Sequence, residues 1–211
     1  MIIDLLPYGL LLLAILVGWK LSTPFSLGLL AMATISGILL NRLEYPAIIF
    51  IGLLGLLIWL PNKIQLKNFA QFFCLGIFLL LAVAMSNHLV PGFNNLSIFK
   101  KIQFSTDSVP FSMYLNFDKI WVGLFIYLCF IKNNQNPTID RIQLIFSIKT
   151  LALLLVFILP IAIIIQYVRI DLKFPELGWL WILNNFFFVC LAEEALFRGF
   201  IQKGLSNLLP K

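Results

Sequence analysis

Long apolar runs constrain this chain more than any other feature of its sequence. A helix needs about 20 apolar residues to cross the roughly 30 Å hydrocarbon core of a membrane. Runs of about that length occupy residues 2–19, 24–41, 45–60, 69–90, 150–168 and 178–200. A further run, Ile120–Ile131, is short unless residues 111–118 extend it, and its length is equally typical of a re-entrant segment. The sequence therefore predicts an all-α fold, a polytopic transmembrane helical bundle with six or seven spans.

Composition indicates one membrane domain over residues 1–211, whose N-terminal spans lie in residues 1–131. Hydrophobic residues make up 61% of the chain and charged residues 11%, with a mean hydropathy of +1.00, whereas soluble domains carry about 25% charged residues. The net charge of +6 is spread over many short connections, which favours a role in membrane orientation over nucleic-acid binding. In either span arrangement more Lys and Arg fall on the side of the C-terminus, so we expect the C-terminus to be cytoplasmic.

The sequence offers little for cofactor or metal chemistry. It contains one histidine and three cysteines, which are dispersed and have no CxxC spacing. Neither a glycine-rich phosphate loop nor a Ser-His-Asp set can be assembled from it. We therefore expect no cofactor and no metal, while the oligomeric state stays open.

Two adjacent carboxylates, Glu193 and Glu194, and a following Arg198 lie inside the last apolar run. An ionisable group in such a run is costly to insert into a membrane and is a functional hypothesis by default. On a helix Glu194 and Arg198 are four residues apart, hence on one face and able to pair. Glu193 points about 100° away and is the less readily paired carboxylate, so it is our candidate general base for a water molecule.

The other acidic residues lie at termini, at segment ends or in connections, where water can solvate them. They are Asp4, Glu44, Asp107, Asp118, Asp140, Asp171 and Glu176. The alternative interpretation of the Glu193, Glu194 and Arg198 cluster is a structural ion network between helices, or side chains that extend to a nearby interface.

The string Glu193-Glu194-Ala195-Leu196-Phe197-Arg198-Gly199-Phe200 resembles the first motif, EExxxR, of the CPBP intramembrane proteases, the CAAX-protease and bacteriocin-processing or Abi family. The stretches Asn87–Asn95 and Tyr114–Lys119 also look like a bacterial branch of that family. The resemblance implies that residues 150–211 begin a catalytic core, that Glu193 polarises the attacking water and that Glu194 and Arg198 shape the site. It also implies a peptide bond of a membrane protein or lipidated peptide as substrate, and a multi-pass location in the lipid bilayer of a bacterial plasma (inner) membrane.

The sequence departs from the family in its later motifs. The family completes its site with an FxxxH and an HxxxN or HxxxD, and the sequence to Lys211 contains neither. Without groups that hold the water and the developing oxyanion, most transition-state stabilisation is missing, so we expect this chain to be inactive as a protease by itself. The single histidine, His88, shares a membrane side with Glu193 in the six-span arrangement and lies far from it in the seven-span one. We expect an interfacial histidine at a helix end.

The rival hypothesis is a non-catalytic membrane protein. Such a protein is either a degenerate family member that binds partners or a transporter-like bundle that uses Glu193 as a proton or cation site. A transporter should pair its carboxylate with polar groups on other spans that face a water path. The notable polar residues of the apolar segments are few, which favours the protease hypothesis: Gln71, Asn87, Gln166, Asn184 and Asn185.

Overall fold

The computed structural model describes residues 3–20, 23–64, 68–106, 108–131, 141–171 and 174–208, which are mostly helical. These residues belong to two units, of which unit 1 comprises residues 1–134 and 177–211 and unit 2 comprises residues 135–176. In unit 1 a short 3-10 turn leads into four long helices. They are α1 (Leu6–Lys20), α2 (Thr23–Leu39), α3 (Tyr45–Ile64) and α4 (Asn68–Ser86).

The second part of unit 1 contains a small sheet and two further helices. After strands β1 (Ser97–Ile102) and β2 (Phe111–Tyr114), helix α5 (Phe117–Ile126) continues as a π-helical turn over Tyr127–Ile131. The last helix, Gly178–Ser206, is formed by α7 (Gly178–Leu183), a π-helical segment (Asn184–Cys190), α8 (Leu191–Glu194), a second π-helical segment (Ala195–Gln202) and the start of α9 (Lys203–Leu208). Unit 2 contains α6 (Arg141–Ile164), which begins well before the predicted run at residue 150 and has no buried residue.

Within the described ranges, three helices are long and apolar enough to cross a membrane: Phe69–Ser86, Arg141–Ile164 and Gly178–Ser206. Three more, at Ile3–Trp19, Thr23–Leu39 and Tyr45–Pro61, are apolar but shorter. The prediction of a helical protein with membrane-length apolar segments is therefore confirmed at that level.

One element departs from the all-α expectation. Strands β1 and β2 form an antiparallel pair in which Ser97 lies opposite Tyr114 and Ile102 opposite Phe111. The pair closes a small apolar cluster of its own, because Phe99 and Met113 are buried against Leu180 of α7. The aromatic and aliphatic residues of the pair suit such a half-buried surface. On the sequence alone, residues 111–118 are a possible extension of the Ile120–Ile131 run.

Helix α5 lies at the centre of unit 1. Eight of its ten residues are buried, and it contacts α1, α3, α4 and the last helix. A helix that is apolar on all sides is stable only when protein or lipid surrounds it, and here neighbouring helices do so. The largest buried side chains around it include Leu11, Leu54 and Phe78.

Several contacts define one end of unit 1, which we call the loop end. Asp4 pairs with Arg42 at 2.7 Å, Leu43 forms a β-bridge with Phe93, and Leu96 N–H donates to the Tyr8 hydroxyl at 2.8 Å. Asn116 N–H donates to Asn184 Oδ1 at 3.1 Å. The starts of α1, α5 and the last helix therefore lie at the loop end with the ends of α2 and α4, and α5 runs in the same direction as the last helix.

Candidate functional site

The sequence-predicted residues lie in the second half of the last helix. Glu193 and Glu194 end α8, the short α-helical turn between the two π-helical segments, and Arg198 lies within the second of these. π-Helical segments are rare in proteins, but those that do occur are often found at functional sites. Ala192, Ala195 and Leu196 form the buried face of this stretch.

A close helix crossing fixes the position of Glu193. At Gly123 of α5 a methyl group would lie 2.7 Å from Ala192 Cα and 3.0 Å from its Cβ. Because both crossing residues are small, the two backbones approach as they do in small-residue interfaces of membrane helices. The crossing holds the residue after Ala192, which is Glu193, against the side of α5.

Lys119 of α5 is the charged partner of Glu193. Lys119 precedes Gly123 by four residues and so shares its helix face, and its Nζ lies 3.6 Å from Glu193 Oε1. Lys119 is 16% exposed and Glu193 46%. The sequence reasoning left Glu193 as the less readily paired carboxylate; the structure supplies its partner from a helix distant in sequence.

The predicted pairing of Glu194 and Arg198 is confirmed. Arg198 Nε lies 2.9 Å from Glu194 Oε2, in the expected i,i+4 arrangement. Both side chains are more than half exposed, so the pair lies on the outer face of the helix and not against α5. The structure therefore separates the three predicted residues into two ion pairs on different faces.

A second polar cluster forms around Asp118, at the start of α5. From its position between apolar runs Asp118 was predicted to be solvated, but its side chain is buried because α5 is enclosed by protein. His88 Nδ1 lies 2.5 Å from Asp118 Oδ2, Asn95 Nδ2 donates to Asp118 Oδ1 at 3.2 Å, and Lys119 N–H donates to the same oxygen at 2.9 Å. Asn95 Oδ1 accepts from Phe117 N–H at 2.9 Å. The hydrogen bonds to Asp118 compensate its carboxylate charge, which would be costly to bury without partners.

His88 lies two residues after the end of α4, in agreement with the expected position of this histidine at a helix end. Its N–H donates to Met85 C=O, and Leu89 N–H donates to Ala84 C=O, the pattern of a Schellman motif. His88 has φ +58°, in the left-handed region that glycine favours at this position. The ring contact with Asp118 stabilises a conformation that is otherwise unfavourable for a side chain.

A cleft of about 670 Å³ opens at the loop end beside this cluster. Its walls come from the segment after α4, from β2 and from the start of the last helix. They include His88, Asn95, Asn116, Trp181, Asn184 and Asn185. The cleft thus combines a histidine whose partner is a buried carboxylate with several amides and aromatic rings, which is the composition of a polar binding site.

The two polar clusters lie at different depths of unit 1. Glu193 follows Asn184 by nine residues, which corresponds to about 14 Å along a helix. His88 contacts Asp118, whereas Glu193 contacts the next residue, Lys119. The structure therefore places His88 beside the cleft and not beside Glu193.

The Glu193 cluster can perform limited chemistry by itself. A carboxylate can accept a proton from water, and an adjacent ammonium can stabilise a developing oxyanion. Among the residues that the structure describes, no three His, Cys, Asp or Glu side chains are grouped to hold a metal ion. Lys119 was missed as a site residue, although a lysine near the start of an apolar segment was the available signal.

Comparison of this chain with protein-family models, with curated proteins and with solved structures finds no match.

Proposed function

We propose that this chain carries the catalytic glutamate of an intramembrane endopeptidase of the CPBP kind. The observation that carries the proposal is Glu193, a carboxylate inside an apolar helix that the Gly123–Ala192 crossing holds 3.6 Å from the Lys119 ammonium. In the proposed reaction Glu193 takes a proton from water as the water oxygen attacks the peptide carbonyl carbon. Lys119 stabilises the resulting oxyanion. When the tetrahedral intermediate collapses, the C–N bond breaks and Glu193 gives its proton to the leaving amine. Glu194 and Arg198 support the outer face of the helix.

The proposal includes a seven-span arrangement in a bacterial plasma membrane, with a cytoplasmic C-terminus. It is supported by the helix directions in unit 1, where α1 and α3 run away from the loop end and α2 and α4 run back towards it. Helix α5 and the last helix both run away from the loop end, and in the proposed arrangement α6, which is long and apolar enough to cross a membrane, is the span between them in sequence. The loop end then faces outward, and the substrate is a membrane protein or a lipidated peptide.

The test is cleavage of a transmembrane substrate by the product of the whole gene in liposomes, followed by mass spectrometry. We expect Glu193→Gln to abolish cleavage while the protein stays folded, and Glu176→Gln, which changes an exposed glutamate of unit 2, to leave it unchanged. Normal cleavage by the Glu193→Gln variant would refute the assignment. The same assay on the 211-residue chain tests our expectation that it is inactive by itself.

One observation favours the non-catalytic alternative. Both carboxylates are engaged in ion pairs, Glu193 with Lys119 of another helix and Glu194 with Arg198 of its own helix, as a purely structural role would require. A degenerate family member would show no cleavage in any form of the gene product, and a transporter would show proton-coupled uptake into vesicles that depends on Glu193.

A further inference from the structure

We propose that the cleft at the loop end is a binding site for an uncharged, extended peptide segment, which adds to the free edge of β2. The proposal does not depend on a protease function, because the residues that line the cleft do not include Glu193, Glu194 or Arg198.

Asn184 presents an unsatisfied donor to the cleft. Its residue is only 3% exposed, and its Oδ1 accepts from Asn116 N–H at 3.1 Å and from Asn116 Nδ2 at 3.5 Å. No described residue accepts a hydrogen bond from Asn184 Nδ2, although the side chain lines the cleft. An amide nitrogen is a hydrogen-bond donor, so Nδ2 can donate to an acceptor in the cleft such as a peptide carbonyl.

Asn185 presents the complementary acceptor. Its Nδ2 donates to Trp181 C=O at 2.9 Å, which fixes the orientation of the side-chain amide. Its Oδ1 can then accept a hydrogen bond from a ligand in the cleft. A donor on Asn184 and an acceptor on the next residue match the alternating C=O and N–H groups of a peptide backbone.

The opposite wall of the cleft is a strand edge. All four residues of β2, Phe111, Ser112, Met113 and Tyr114, line the cleft. Because successive side chains of a strand point to opposite faces, a wall made by all four includes the backbone edge. The sheet has two strands among the described residues, and β1 occupies one edge of β2. The other edge is a template for an added strand, a common mode of peptide recognition.

The charge of the walls selects the kind of peptide. Among the described residues no Lys, Arg, Asp or Glu lines the cleft, and His88 is the basic side chain on it. His88 Nδ1 is held by Asp118, so Nε2 is the ring nitrogen left to meet a ligand. The volume of about 670 Å³ lies in the range of ligand sites that bury most of their ligand. An uncharged segment with aromatic or aliphatic side chains fits the amides and the rings of Trp181 and Phe111.

The test measures protection of a cysteine placed on β2. The variant Ser112→Cys is prepared in the full chain in nanodiscs, and alkylation of the introduced thiol by iodoacetamide is followed by peptide-level mass spectrometry. The probe is a pool of acetylated, amidated decapeptides that contain only Ala, Ser, Thr, Val, Gln and Phe. The variant Ser206→Cys, which changes an exposed residue at the end of the last helix that does not line the cleft, is the control.

When the peptides that bind are present at about ten times their Kd, we expect the pool to slow alkylation of the thiol at position 112 by about tenfold. Alkylation of the thiol in Ser206→Cys should be unchanged. The same pool with N-methyl groups on alternate residues should not protect, since it cannot pair with a strand edge. Asn185→Ala, a change at a partly exposed position that keeps Asn184, should reduce the protection.

Three results would overturn the proposal. The first is that the pool does not protect the introduced thiol at up to millimolar concentration in a monodisperse sample. The second is that the N-methylated pool protects it equally well. The third is that a dodecyl-chain detergent without peptide protects it equally well. The last result would identify the cleft as a lipid groove. Because the assay needs no cleavage, its outcome is separate from that of the protease test.

Discussion

The crossing of α5 and α8 at Gly123 gives the sharpest quantitative prediction. In Gly123→Ala the added methyl lies 2.7 Å from Ala192 Cα, whereas carbon atoms in contact are about 3.5–4.0 Å apart. The blocking atom belongs to the backbone of another helix and cannot rotate away. The helices must separate by roughly 1 Å, and overpacking of this kind costs about 1–3 kcal/mol; we expect about 2–3 kcal/mol.

A matched control removes the effect of alanine on helix propensity. Alanine is about 1 kcal/mol better than glycine inside a helix, so Gly123→Ala should show a net loss of about 1–2 kcal/mol. Gly52→Ala changes a glycine of α3 with no atom within 4 Å of the new methyl, and should be neutral or stabilising by up to about 1 kcal/mol.

The assay is thermal unfolding of each full-length variant in the same detergent, followed by fluorescence-detected gel filtration. A difference of about 2–3 kcal/mol between the two variants corresponds to roughly 4–12 °C in Tm for a chain of this size. Equal melting temperatures for Gly123→Ala and Gly52→Ala would refute the close crossing, and with it the geometry that holds Glu193 beside Lys119.

Three further predictions concern the charged residues. Asp118→Asn should lower the free energy of unfolding by about 2–4 kcal/mol, because the charge-assisted hydrogen bonds of the buried carboxylate are lost. A double-mutant cycle with His88→Gln, measured by chemical unfolding, gives the coupling between the two side chains. Additive effects of the two substitutions would contradict the contact between His88 and Asp118. Lys119→Met should cost only about 0.5–1 kcal/mol of stability, since Glu193 is partly solvated, yet lower cleavage by the gene product about 10²-fold; unchanged cleavage in the liposome assay would remove Lys119 from the mechanism. For topology, His88→Cys should react with an impermeant maleimide only from outside the cell and Ser206→Cys only from the cytoplasmic side; labelling of both from one side would exclude seven spans.

Local sequence spacing predicted those contacts that lie within one helix. The Glu194–Arg198 pair follows from a spacing of four residues, and the helix-end position of His88 from the apolar run before Pro91 and Gly92. The pairs between Lys119 and Glu193 and between His88 and Asp118 join residues distant in sequence. They arise from the packing of α5, which a local pattern does not encode.

Helix α5 shows why the rest of the fold was harder to predict. Its apolar stretch was too short to be assigned as a span, and its burial depends on neighbours that enclose it on all sides. The same enclosure buries Asp118, which the sequence alone placed in water. The β1–β2 pair was missed for a related reason, since Phe99 and Met113 become a core only when Leu180 of α7 covers them.

The enclosure of α5 also has a consequence for the order of assembly during synthesis. Helices α1, α3 and α4 emerge from the ribosome before α5, but the wall at Ala192 belongs to a helix made later. Until that helix is synthesised, the Gly123 face of α5 and the Lys119 ammonium lack their partners. Helix α5 is also too short to be held in the bilayer as a span by itself. An insertion intermediate that ends before Ala192 should therefore hold α5 loosely, available to chaperones and proteases, and the last helix should fix it in place when it inserts.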